Sequence, residues 1–244
     1  MSQKEIRRRL SKIIDKLGKL FEKRASARGL DFICDKSNRR YVELVGGNKF
    51  LTLKLWFRSE ITGRETFVKV QVNFVEHLIF KPRNVKLNSL LQKKKFKELE
   101  SLFPELYREY STPIPFTIYE IREILCEKIR SILTRRGTKA RDFIDIFMVR
   151  EKLGIETDGL ENQIVEKIQY MLNLYARFRQ NFKDKAALLA SGEIFGWGEE
   201  RELMLAEVNE EEFYKFIREF TESLKRLTIK CANTAKLDYV FYQR

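Results

Sequence analysis

The sequence predicts an α+β fold, an antiparallel or mixed sheet with helices, followed by an all-α helical bundle. Three observations carry this reading. Apolar residues recur at helical spacing at the start, at a period of two from about residue 41 to residue 74, and at helical spacing again after a pair of prolines.

In the first segment, Ile6, Leu10, Ile13, Ile14, Leu17, Leu20 and Phe21 share one stripe of a helix over residues 4–28, with Lys and Arg on the other faces and Gly29 as its C-cap. An aliphatic stripe without Trp favours a helix facing a core over one lying on a membrane. From Tyr41 the pattern alternates. Leu51, Leu53, Leu55 and Phe57 line one strand, Val68, Val70, Val72 and Phe74 line the next, and Gly63 turns the chain between them. With Tyr41–Val45 this makes about three antiparallel strands, whose second face carries Lys54, Lys69, Gln71 and Asn73. Gly46-Gly47 reads as a hairpin turn.

Residues 89–110 contain QKKKFKELE and read as a solvated helix face; Lys93, Lys94, Lys95 and Lys97 could also touch phosphate. Pro113 and Pro115 in STPIPF then break the pattern, which sets the expected domains at 1–112 and 113–244. The second is expected to hold helices over about 118–135, 139–153 and 210–228, and one with Ile164, Ile168, Leu172, Tyr175, Phe178 and Phe182 in a single stripe. Asn209 and Glu212 resemble a capping box.

Composition narrows the chemistry. With 48 Lys+Arg against 35 Asp+Glu the net charge is +13, and all of the excess lies in residues 1–100, which carry 25 basic and 11 acidic side chains. Such asymmetry points to an anionic partner. A single histidine argues against a His-ligated metal centre, and three scattered cysteines suggest neither disulfides nor a zinc site, which places the chain in a reducing compartment, the cytoplasm. No apolar run is long enough to span a membrane. His77 and Cys126 read as structural, and Trp197 as a packing anchor.

The informative segment is YEIREILCEKIRSILTRRGTKARDFIDIF. Lys128 falls on the apolar stripe of Ile121, Ile124, Leu125, Ile129 and Ile132. A lysine there must snorkel out, pair with a carboxylate or bind an anion. Glu120, Glu123, Glu127 and Arg130 share a polar face. In the following helix, Asp142 and Asp145 lie three apart on one face and can meet Lys128 or Arg136 if the two helices pack antiparallel. The spacing fits a structural ion-pair cluster and a phosphate- or metal-holding site equally well.

This stretch, through Glu127, Lys128, Arg135, Arg141, Asp142 and Asp145, resembles the AbiEii/AbiGii toxin family of nucleotidyltransferases, and the resemblance covers most of residues 1–230. It implies a nucleotidyltransferase-like α+β domain ahead of the bundle, with transfer of a nucleotide from an NTP, using Mg²⁺, to an RNA or protein acceptor in a toxin–antitoxin or phage-defence system. Carried onto this chain, it implies that Lys128, Asp142 and Asp145 act in catalysis, Lys128 neutralising phosphate and the two acids orienting it. Arg135, Arg136 and Arg141 would assist in holding the nucleotide. The metal ligands remain unassigned. The family's Gly-rich turn and Asp-x-Asp strand are not found in these 244 residues, and Gln71, Asn73 and Glu76 stand where a third carboxylate is expected. The chain is therefore expected to be truncated, split or degenerate, with a non-catalytic remnant that binds nucleic acid or an antitoxin as the alternative.

Overall fold

The computed structural model describes residues 2–89, 91, 96–202, 204 and 208–234. Its contacts divide it into two compact units, Met1–Glu76 and His77–Arg244.

The first unit packs a long helix, α1 (Gln3–Ser26), on a three-stranded antiparallel sheet of order β1-β2-β3, formed by Val42–Val45, Phe50–Arg58 and Glu65–Asn73. The Ser2 hydroxyl caps α1 by accepting from the Glu5 N–H at 3.2 Å. Leu51 pairs with Val72, Leu53 with Val70 and Leu55 with Val68, so the expected faces are in register. The helix stripe is narrower than expected: Ile14, Leu17 and Phe21 meet the sheet, whereas Ile13 and Leu20 are exposed. The basic face of α1 points to solvent, with Arg7, Arg8, Arg9, Lys12, Lys16 and Lys19 all exposed. Gly46, Gly47 and Asn48 all take positive φ in the turn between β1 and β2, a hairpin turn as expected.

The second unit begins with a two-stranded antiparallel pair, β4 (Arg83–Leu87) and β5 (Ile114–Ile118), joined through α2 (Lys97–Leu102) and α3 (Pro104–Ser111). Two expectations are corrected here. The segment STPIPF is not only a break, because Ile114–Ile118 forms β5; a two-stranded sheet consists of edges, where Pro115 lacks no obligatory ladder bond. The pairing of β4 with β5 crosses position 113. The lysine-rich helix is two helices, because Pro104 opens α3 at its first position. Lys97 starts α2, and Lys93, Lys94 and Lys95 lie outside the described residues.

Five helices follow among the described residues: α4 (Ile121–Thr134), α5 (Ala140–Leu153), α6 (Glu161–Leu174), α7 (Ala176–Ser191) and α8 (Glu210–Thr234). The single stripe expected from Ile164 to Phe182 is divided between α6 and α7 at an extended Tyr175. The turn lets Leu172 and Phe182 both reach the core, and the Arg179 guanidinium donates to the freed Leu172 carbonyl at 2.7 Å. The core is aromatic, with Phe143, Phe147, Phe195, Phe213, Phe216 and Phe220 in tilted or edge contacts for the most part. Trp197 anchors its loop on Phe195 and Phe213 and donates to the Tyr214 hydroxyl at 2.7 Å. Asn209 accepts from the Glu212 N–H at 3.3 Å, one half of the expected capping box. No described helix is long and apolar enough to cross a membrane.

Two predictions follow from this packing. Gly18 sits in α1 where an added Cβ would lie 1.9 Å from Cys34 Sγ. Glycine to alanine within a helix ordinarily stabilises, yet Gly18→Ala should lower the unfolding free energy by about 1–3 kcal/mol through overpacking, measured by urea denaturation. Burial pushes the Cys126 and Cys231 thiols up to about 12. Neither should react with a maleimide near neutral pH until the protein is unfolded, as read by mass spectrometry.

Candidate functional site

Helix α4 carries the site. Its stripe of Leu125, Cys126, Ile129, Ile132 and Leu133 is buried in the bundle, which fixes the directions of the charged residues on its flanks. On one flank, Lys128 Nζ lies 3.2 Å from Asp142 Oδ1 and also contacts the Asp145 carboxylate. Arg135, just past the end of α4, places Nη1 3.0 Å from Asp142 Oδ2 and Nη2 3.3 Å from Ser131 Oγ. One carboxylate therefore holds two cations. The Asp142 side chain is 6% exposed and Asp145 51%, so the inner acid fixes the arrangement and the outer one meets water.

The acids expected to meet Lys128 or Arg136 thus meet Lys128 and Arg135. Arg136 and Arg141 are exposed and make no hydrogen bond or ion pair with the described residues. They flank the α4–α5 turn, RRGTKAR, in which Gly137 takes a φ of 73°. Arg135, Arg136, Lys139 and Arg141 give this turn four cations in seven residues.

On the opposite flank the structure corrects the reading of Glu123, Glu127 and Arg130 as an ordinary polar face. Glu123 is 1% exposed and Lys167 of α6 2%, with Nζ 2.6 Å from Oε1. The second Glu123 oxygen accepts the backbone N–H groups of Ile79 and Phe80 at 3.0 and 2.9 Å. Lys167 also lies 3.2 Å from Glu127, which pairs with Arg130. Burial works against ionisation of Glu127, but Arg130, and then Lys167, outweigh it and hold its carboxyl below the usual range. A signal existed in the sequence: Lys167 follows Ile164 by three and adjoins Ile168, the same placement on an apolar stripe that singles out Lys128.

A third arrangement also escaped the sequence reading. From α7, Asn181 Nδ2 donates to the Thr134 carbonyl at 2.9 Å, and Lys185, one turn on, donates to the Thr138 hydroxyl. The two side chains grip the start and the middle of the α4–α5 turn. Burial lowers the pKa of the Lys185 ammonium, opposed only by neighbouring Asp184.

Asn73 bonds Glu76 at 2.8 Å, and His77 stacks on Tyr170 with Nε2 2.8 Å from Glu166. A concavity lined by Ile146, Arg150, Ile155, Phe216 and Phe220 has its arginine held by Glu219 at 3.0 Å and Glu156 at 3.2 Å. For Mg²⁺ the donor set is unsuitable: among the described residues no three His, Cys, Asp or Glu side chains converge, and both Asp142 oxygens face cations.

The result is a scaffold that presents positive charge, set by one buried carboxylate, from the turn between two packed helices. A protein-family model described as nucleotidyl transferase AbiEii toxin, type IV toxin–antitoxin system, matches residues 3–228, a span that contains every residue of this cluster. The chain belongs to the AbiEii nucleotidyltransferase toxin family. Neither curated proteins nor solved structures gave a match.

Removing Glu123 would leave the buried Lys167 ammonium with Glu127 as its carboxylate and take the acceptor from the Ile79 and Phe80 N–H groups. Glu123→Ala should cost about 3–5 kcal/mol in urea unfolding, and Glu123→Gln, which keeps an acceptor for the two N–H groups, should cost less. The lowered pKa of Glu127 has a sign. Its ionised form contributes stability above an unfolded-state pKa of about 4.3, and this is lost as pH falls through the lower folded-state value. Glu127→Gln should therefore flatten the acid limb of the stability profile; an unchanged slope would show that Glu127 is not the titrating group.

Proposed function

We propose that this chain is the nucleotidyl-transferring toxin of a type IV toxin–antitoxin system, passing a nucleotide from an NTP to an RNA or protein acceptor. The acceptor oxygen attacks the α-phosphorus, one O–P bond forms, the bond to the β-phosphate bridge breaks, and pyrophosphate leaves as the acceptor gives up its proton. Charge accumulates on phosphate oxygens, so the protein's task is positioning and neutralisation.

The observation that carries this reading is Asp142, a buried carboxylate shared by Lys128 and Arg135 within the family-matched span. Lys128 and Arg135 neutralise phosphate, Asp142 and Asp145 orient Lys128, and the exposed Arg136 and Arg141 draw the triphosphate to the turn. The basic excess of the first hundred residues supplies a further surface for an anionic acceptor.

Thermal denaturation with increasing NTP, Mg²⁺ present, tests the reading. Wild type should be stabilised by about 2.7 kcal/mol at a ligand concentration one hundred times Kd, and Lys128→Ala should lose most of that gain. Equal stabilisation of the two would remove Lys128 from the nucleotide site. Salt-dependent RNA binding by wild type without transfer of labelled nucleotide would replace this function with that of a non-catalytic binding protein.

A further inference from the structure

Lys185 is a buried cation that forms no ion pair among the described residues. It is 3% exposed, and its ammonium donates to one neutral group, the Thr138 hydroxyl. It pairs with no carboxylate among the described residues, and the carboxylate of adjacent Asp184 is 2.8 Å from the Gln180 amide. An ammonium withdrawn from water in this way costs stability unless an anion is supplied. Among the described residues, no carboxylate lies within ion-pair distance of Lys185. Thr138 is half-buried in the α4–α5 turn, and the charges on that turn, Arg135, Arg136, Lys139 and Arg141, are all positive. The one nearby acid of the motif that is buried, Asp142, is already shared by Lys128 and Arg135.

The backbone beside Thr138 repeats the same deficit. Helix α5 begins at Ala140 with Lys139 at its N-cap, whose side chain makes no capping hydrogen bond. The N–H groups there add partial positive charge beside Thr138, and the acid of that first turn, Asp142, is the one already shared by Lys128 and Arg135.

We infer that Lys185 and Thr138 form a phosphate-binding pair at the α4–α5 turn, which takes an oxyanion of the triphosphate chain while Arg136 and Arg141 close over it from the exposed side. This rests on the nucleotide reading above and extends it to a residue of α7, outside the motif that carries the family resemblance.

The inference separates binding from stability. A lysine kept for packing is lost at a cost in stability, whereas a buried charge awaiting its ligand is replaced by an apolar side chain of similar length with none. Calorimetric titration of the full chain with inorganic triphosphate, NTP and the corresponding nucleoside provides the test, alongside melting temperatures. Lys185→Met should melt at or above the wild-type temperature and bind triphosphate and NTP about tenfold more weakly, with the nucleoside giving no heat in either protein. Lys185→Gln, which keeps a donor for Thr138 but no charge, should weaken binding similarly, and it decides the matter if the Met variant does not fold. Unchanged triphosphate affinity in a folded Lys185 variant overturns this inference and leaves the nucleotide reading standing. A lower melting temperature in both variants overturns it in favour of a packing role. A wild-type chain that takes up neither triphosphate nor NTP overturns both.

Discussion

A carboxylate taken out of water must find positive charge within reach, and helix α4 is placed by two such demands. Glu123 on one flank is satisfied by Lys167 of α6 and by the backbone of Ile79 and Phe80. Asp142 on the other draws Lys128 and Arg135 onto α5. Between the flanks lies the apolar stripe of Leu125, Ile129, Ile132 and Leu133. Burial of that stripe stabilises the bundle without direction, and the ion pairs supply the direction, fixing which way α4 is rotated and how far it slides.

That constraint explains the character of the candidate site. Lys128 and Arg135 do not sweep through solvent as surface cations do; their heads are held against one carboxylate, so little conformational entropy remains to be lost when an anion arrives. Asn181 donates to the first carbonyl of the turn that follows, and Lys185 to the Thr138 hydroxyl at its middle. The turn itself stays open, with Arg136, Lys139 and Arg141 exposed. Rigid support beneath and free cations above is an arrangement suited to electrostatic work on phosphate.

How much of this was legible depended on the kind of signal. The period of two in β2 and β3 fixes which residues face α1, because a one-residue slip would invert every side chain, and the register follows it. Lys128 was legible because a lysine on an apolar stripe contradicts its surroundings, and Asp142 and Asp145 because a spacing of three places them on one face. Glu123 was not, because its neighbours Glu120, Glu127 and Arg130 make a coherent polar face on a helical wheel; only α6 packing against that face turns it inward. The break at Tyr175 had no glycine or proline to announce it. Strand β5 was hidden by prolines that a two-stranded sheet accommodates.

The sequence by itself determined the α+β class, the facing sides of the first sheet, the apolar stripes of the helices and the placing of Lys128 opposite Asp142 and Asp145, since each is a matter of local period or short spacing; Arg135 joined them only through the family resemblance. Only the tertiary structure decided that Arg135 rather than Arg136 joins Lys128 on Asp142, that Glu123 and Lys167 meet in the interior, and that Lys185 lies beneath Thr138, 47 residues away. The physical reason is that charge is neutralised through space. The partner of a buried ion is set by which helices pack together, and the order of residues along the chain does not specify it.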